Sequence, residues 1–292
     1  MAFDSTTPII LALLSAMLFA MGTQFIHLGL RHGDPQTGTL VDIGATMVFY
    51  WLLAPFFMEW NYWPTGTAIL FASLGLIRPF ISANLAARAV YYLGPTLSST
   101  LSSTTPLFAA CFAFALLGEE PTMMIALGTG GIVAALVVQA SPGGLKRNWP
   151  LWALLFPLGA SIIRAGSHAA TKFGLETVPS PLFASLAAYS VSFLVAMSAQ
   201  QFRTTPMPNL FKNKGMWWFA AAGLFNGMAV LSMNIAFLLG KLIVVTPIVA
   251  SYPFFTLLLS VAVFRRERLT PRTILAVFLV VPGVLLIALS RG

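Results

Sequence analysis

Arg78 and Arg164 lie where the chain offers almost nothing but apolar side chains. Arg78 sits beside Pro79 near the centre of one apolar stretch, and Arg164 near the centre of another. Ser161, Arg164, His168, Thr171 and Lys172 recur at three- and four-residue steps, so a helix gathers them into one polar stripe. A guanidinium is planar, permanently charged and forked, which suits bidentate bonding to a carboxylate, phosphate or sulfonate. No Asp or Glu lies mid-stretch, and Asp42, near the start of the second stretch, is the closest candidate. A buried cation without a partner is costly. The chemistry these residues offer is therefore anion binding. The plainer uses are backbone bonding by Arg78 at the Pro79 bend and an Arg164–Asp42 pair.

Further polar residues stand in the same surroundings. Asn84 and Arg88 lie four apart, as helix neighbours do. Gln24, His27, Asn226 and Asn234 also interrupt apolar runs, and a histidine can serve as a proton site because it titrates near neutral pH. The stretch GPTLSSTLSSTTPLF at 94–108 carries eight hydroxyls, Ser99 and Ser103 among them. Hydroxyls and small side chains let helices pack closely or line a wet path. Tyr252, beside Pro253 in the stretch GKLIVVTPIVASYPFF at 240–255, is a further candidate. Lys172, Arg88 and Lys241 have a simpler use, reaching from helix ends to the interface. Most tryptophans fall at the ends of apolar runs, as an interfacial belt requires.

Catalysis is not expected. There is no His-Glu-x-x-His zinc motif. In Gly166-Ser167-His168 the Ser and His are neighbours that face apart on a helix, not a nucleophile and base. The single Cys111 forms no disulfide framework. No metal or cofactor is implied.

The elements that must hold these residues follow from composition. Of the 292 residues, 58% are hydrophobic and 8% charged, so the solvent is lipid. The net charge of +8 then reads as topology signals in loops, not as a nucleic-acid surface. No cleavable leader is read in residues 8–30, which form the first span. Ten spans are expected, roughly 8–30, 38–58, 66–91, 94–117, 122–140, 149–173, 180–200, 216–239, 241–264 and 271–290. Pro79, Pro106 and Pro253 are expected helix bends.

The chain also echoes itself. GPTLSSTLSSTTPLF from Gly94 pairs with GKLIVVTPIVASYPFF from Gly240. Gly-Glu-Glu-Pro at 118–121 falls where Arg-Arg-Glu-Arg-Leu-Thr-Pro stands at 265–271, and GTGGIVAALVV at 128–138 pairs with VVPGVLLIALS at 280–290. GTQFIHLGL at 22–30 pairs with GSHAATKFG at 166–174, an offset of 144 that sets Gln24 and His27 against His168 and Thr171. Asn234 pairs with Arg88. The reading is two five-helix halves, 1–140 and 149–292, joined by a basic segment at 141–148. An odd number of spans per half inverts one half relative to the other, the plan of alternating-access transporters.

On these paired motifs the chain resembles an EamA-type member of the drug/metabolite transporter superfamily over nearly its whole length. The resemblance implies an all-α bundle of ten helices, with two inverted five-helix repeats around a central cavity. That cavity would be lined by spans 3, 4, 8 and 9. The expected function is a permease for a small anionic or zwitterionic metabolite such as an amino acid or organic acid, working as an exporter in a bacterial cytoplasmic membrane. The alternatives are a flippase for a lipid-linked head group and an exporter of cationic or hydrophobic drugs. Expected partners are the small-molecule substrate and membrane lipid, and no nucleic acid, with the chain a monomer or a homodimer. Gly128, Gly130 and Gly131 suit close packing, within the chain before any dimer. Lys and Arg cluster in the joins after spans 1, 5, 7 and 9, which places these joins in the cytoplasm and both termini outside. The family resemblance implies the opposite orientation.

Overall fold

The structure is a computed structural model that describes residues 6–78, 81–82, 85, 88–89, 92–93, 101–140, 150–201, 214–262 and 271–290, with backbone alone at 139–140, 262, 271–273 and 276–277. Among these, helix dominates and no strand occurs. In a bilayer only a helix or a closed barrel satisfies every backbone N–H and C=O.

The first half supplies α1 (Thr7–Gly29), α2 (Pro35–Phe57), α3 (Gly66–Ile77), α4 (Thr105–Leu117) and α5 (Met123–Ala140). The second supplies α6 (Leu155–Thr177), α7 (Pro181–Gln200), α8 (Lys214–Leu239), α9 (Leu242–Ala250), α10 (Tyr252–Ala262) and α11 (Pro271–Leu289). Five are long and apolar enough to cross a membrane: α1, α2, α7, α8 and the combined α9–α10. Four shorter apolar helices, in α3, α4, α5 and α11, join them. The remaining span is α6, which carries the polar stripe.

Local sequence starts the helices in matched ways. Asp34 accepts the Thr37 N–H and Pro35 opens α2; Ser180 accepts the Phe183 N–H and Pro181 opens α7. A short polar cap followed by proline satisfies an orphan donor and sets φ for the first turn. The two starts lie 146 residues apart.

The packing of the halves repeats atom for atom. In α2, the Thr46 hydroxyl donates to the Asp42 and Gly223 carbonyls. In α7, the Ser192 hydroxyl donates to the Ala188 and Gly75 carbonyls. Gly223 lies so close to the Asp42 carbonyl that no Cβ would fit, and Gly75 lies likewise on the Ala188 carbonyl. Thus α8 packs on α1 and α2 as α3 packs on α6 and α7, each half clasping the third helix of the other. Small residues replace hydrophobic expulsion as the basis of packing in lipid. Side chains such as Phe56 and Leu52 stay exposed on the outside, where the acyl chains lie. Gly128 and Gly131 meet α11 at Leu279 and Gly283, an internal contact, while Gly130 has open space beside it.

Two spans are broken rather than bent, and in the same way. The Thr104 N–H and hydroxyl both bond the Leu101 carbonyl, and the Leu107 N–H bonds the Thr104 carbonyl. The Ser251 N–H and hydroxyl both bond the Ile248 carbonyl, and the Phe254 N–H bonds the Ser251 carbonyl. Pro106 and Pro253 therefore do not kink a continuous helix. Each sits in the first turn of a new one, α4 or α10, where a missing N–H costs nothing. Pro79 lies outside the described residues.

Charges hold the link between α8 and α9. Gly118 ends α4 with φ at 64° and turns the chain so that Glu119 points inward. The Glu119 carboxylate is buried and accepts the Leu242 and Ile243 N–H groups at 2.8 and 2.9 Å. Lys172 donates to the Phe237 and Gly240 carbonyls at 2.7 and 2.9 Å. An anion thus caps the start of α9 and a cation the end of α8, each matching the helix dipole it meets. Lys172 reaches backbone carbonyls of its own bundle, not the interface.

Candidate functional site

The broken spans face one another across a cavity of about 610 Å³. Ser102, Ser103, Thr105 and Pro106 line it from the first break, and Thr246, Val249, Ala250, Tyr252 and Pro253 from the second. Interrupted backbone at membrane depth is tolerated where it is buried in protein or lines such a space.

Both arginines reach this cavity. Arg78, at the end of α3, places Nη2 3.1 Å from His168 Nε2. A guanidinium only donates, so Nε2 accepts and the imidazole proton lies on Nδ1. That Nδ1 is buried and has no hydrogen-bond partner among the described residues, and neither has the Thr246 hydroxyl. Arg164 lies 3.4 Å from the Thr105 and Ser161 hydroxyls, the long edge of hydrogen-bond range. Among the described residues neither arginine meets a carboxylate within ion-pair distance, and none lines the cavity. Asp42 is taken instead by Asn226, whose Nδ2 donates to it at 2.8 Å.

A second space of about 300 Å³ adjoins the first and shares Phe19, Arg78, Arg164 and Tyr189 with it. Ser82, Thr171, Ser185, Ser192 and Asn234 add polar groups to its walls. The Ser185 hydroxyl donates to the Pro181 carbonyl and accepts from Asn234 Nδ2, and Asn234 Oδ1 is buried without a partner among the described residues.

The two halves meet the main cavity in a register of 145 along α1 and α6, not 144. Gly29 packs on the Phe219 ring as Gly174 packs on Phe71, and 174 − 29 is 145. Phe19, Thr23 and Ile26 then correspond to Arg164, His168 and Thr171, and all six line the cavities. One residue is about 100° on a helix, so the expected Gln24–His168 match fails. Gln24 is turned away and donates Nε2 to the Thr256 carbonyl, while His27 is exposed and lines neither cavity.

Of the residues singled out in the sequence, Arg78, Arg164, His168, Asn226, Ser103 and Tyr252 meet at the larger cavity and Asn234 at the smaller. Arg88 is exposed and lines neither. Asn84 and Ser99 lie outside the described residues. Sequence reading missed Thr23, Thr105, Tyr189, Thr246 and Phe19. Thr105 and Thr246 belonged to the two motifs already paired. Nothing in the local sequence pattern marks Tyr189 or Phe19.

Matched positions carry opposite chemistry. Arg78, His168, Arg164 and Thr105 form one wall; Asn226, Thr23, Phe19 and Tyr252 stand at their counterparts. The Arg164–Thr105 contact corresponds to a tilted ring pair, Phe19 and Tyr252, with centroids 6.0 Å apart. The cavity is cationic on one side and aromatic on the other.

A lipid-embedded helical bundle of two inverted repeats around a central cavity belongs to the class of multi-pass membrane transporters. The model of the EamA-like transporter family matches twice, at residues 6–140 and 151–289, and the chain belongs to that family. Among solved structures, one described as "Crystal structure of protein" superposes with TM-score 0.78 at 15% identity, covering 97% of this chain and 96% of that one. At that identity the likeness is one of fold. No curated protein matches the chain.

Proposed function

We propose that the protein is a secondary transporter that moves a small anionic or zwitterionic metabolite, such as an amino acid or organic acid, by alternating access between its halves, 1–140 and 149–292. The observation that carries this reading is the pair of arginines at one cavity with no carboxylate beside either among the described residues. A substrate anion supplies what the chain withholds, and guanidinium forks hold it bidentately. The aromatic wall of Phe19 and Tyr252 favours a substrate with an apolar body on its charged head. The same wall supports the second reading, export of compounds with larger hydrophobic parts.

The basic joins after spans 1, 5, 7 and 9 favour a cytoplasmic location for that face, with both termini outside, in a bacterial cytoplasmic membrane. Export is the proposed direction.

The test is thermal stabilisation of purified protein by a panel of anions, amino acids, cations and sugars. A ligand that binds only the folded state raises the melting temperature. Acids or zwitterions should stabilise the wild type and lose that effect in Arg78→Gln and Arg164→Gln. Stabilisation by cations or neutral apolar compounds, unchanged in both variants, would overturn the reading.

A further inference from the structure

The first half of the molecule contains a built-in carboxylate, Asp42, at the place where the second half has none. The helix pairs α2–α8 and α7–α3 make matching contacts, through Thr46 and Ser192, Gly223 and Gly75, and the Asp42 and Ala188 carbonyls. That register sets Asp42 against Ala188 (188 − 42 = 146) and Asn226 against Arg78 (226 − 78 = 148). In one half, Asn226 donates to the Asp42 carboxylate. In the other, Arg78 and Ala188 both line the smaller cavity of about 300 Å³, and alanine brings no carboxylate.

We infer that this smaller cavity between α3 and α7 is the seat of the substrate's carboxylate, which takes toward Arg78 the place that Asp42 takes toward Asn226. The inference rests on the anionic-substrate reading and says where the anion goes. The Arg78 guanidinium has donors to spare, since its one hydrogen bond among the described residues is to His168. The Ser82 and Tyr189 hydroxyls line the same space and make no hydrogen bond among the described residues, so both can donate as well. Arg164 borders it too. The substrate's body would then extend past the arginines into the larger cavity, against Phe19 and Tyr252. The tests of charge and of place are separable, because an aspartate at 188 supplies the anion from the chain itself.

The experiment compares Ala188→Asp with the neutral isostere Ala188→Asn, each with Arg78 and with Arg78→Gln, by melting temperature in detergent. Phenylacetate, with phenylacetamide as its neutral counterpart, is the added probe. Ala188→Asp should melt a few degrees above Ala188→Asn without ligand, and the difference should vanish with Arg78→Gln. Phenylacetate should stabilise the wild type more than phenylacetamide does. Its effect should fall at least tenfold in apparent affinity in Ala188→Asp, where the seat is occupied. An Ala188→Asp protein that melts no higher than Ala188→Asn overturns the inference, as does one that keeps the full phenylacetate response. If the aspartate couples to Arg78 but no acid stabilises the wild type, the seat stands as an anion site and the anionic-substrate reading falls. Should Ala188→Asp fail to fold, Ala188→Met fills the same space without charge. A full phenylacetate response in that variant would overturn the inference, and its loss would support it.

Discussion

Replacing Glu119 should loosen the fold far from the cavity it helps to shape. Its carboxylate is 8% exposed and accepts two successive N–H groups, from Leu242 and Ile243, at 2.8 and 2.9 Å. Those groups open α9, whose N-cap residue Lys241 provides no side-chain bond of its own. A helix start has no intrahelical partner for its first donors. Each hydrogen bond to a charged group contributes about 1.5–3 kcal/mol, and the helix dipole adds about 0.3–1. The terms overlap, so Glu119→Ala should cost about 3 kcal/mol. Glu119→Gln keeps one acceptor and turns an amide N–H toward the other donor, so it should recover less than half of the loss. At about 2 °C per kcal/mol for a chain of this size, the alanine variant should melt about 6 °C lower in detergent. Scanning fluorimetry of purified protein reads this directly. Melting of both variants within about 1 °C of wild type would refute the claim that this carboxylate anchors α9.

Other expectations follow from the same contacts. Lys172→Met retains the apolar stem but removes both bonds to the end of α8, and should destabilise by about 1–3 kcal/mol; an unchanged melting temperature would contradict the capping role. Gly75→Ala and Gly223→Ala each force a Cβ onto a carbonyl across a helix pair. Each should lower folded yield or cost about 2 kcal/mol, and tolerance of both would argue against the matched packing. Thr23→Trp should fill the cavity and abolish ligand stabilisation, while His27→Ala should leave it intact; the reverse pattern would restore the 144 register.

The site was partly legible before any coordinates. Arg78, Arg164 and His168 stood out because polar groups are costly in an apolar span. The hydroxyl-rich motif pointed to the broken spans because two copies ended in proline at matched positions. Glu119 was noticed only as part of a motif, and its target lies 123 residues away, beyond any local pattern.

Sequence alone determined the lipid environment, the ten spans and the inverted pairing of halves. These rest on composition and on repeats longer than any single helix turn, so small errors of alignment do not disturb them. The tertiary structure alone decided which side chains meet. A one-residue shift rotates a helical side chain by about 100°, which exchanges Gln24 for Thr23 at the cavity wall. It also set Ala188 against Asp42, because their equivalence appears only when both helix pairs are packed and their carbonyl contacts can be compared.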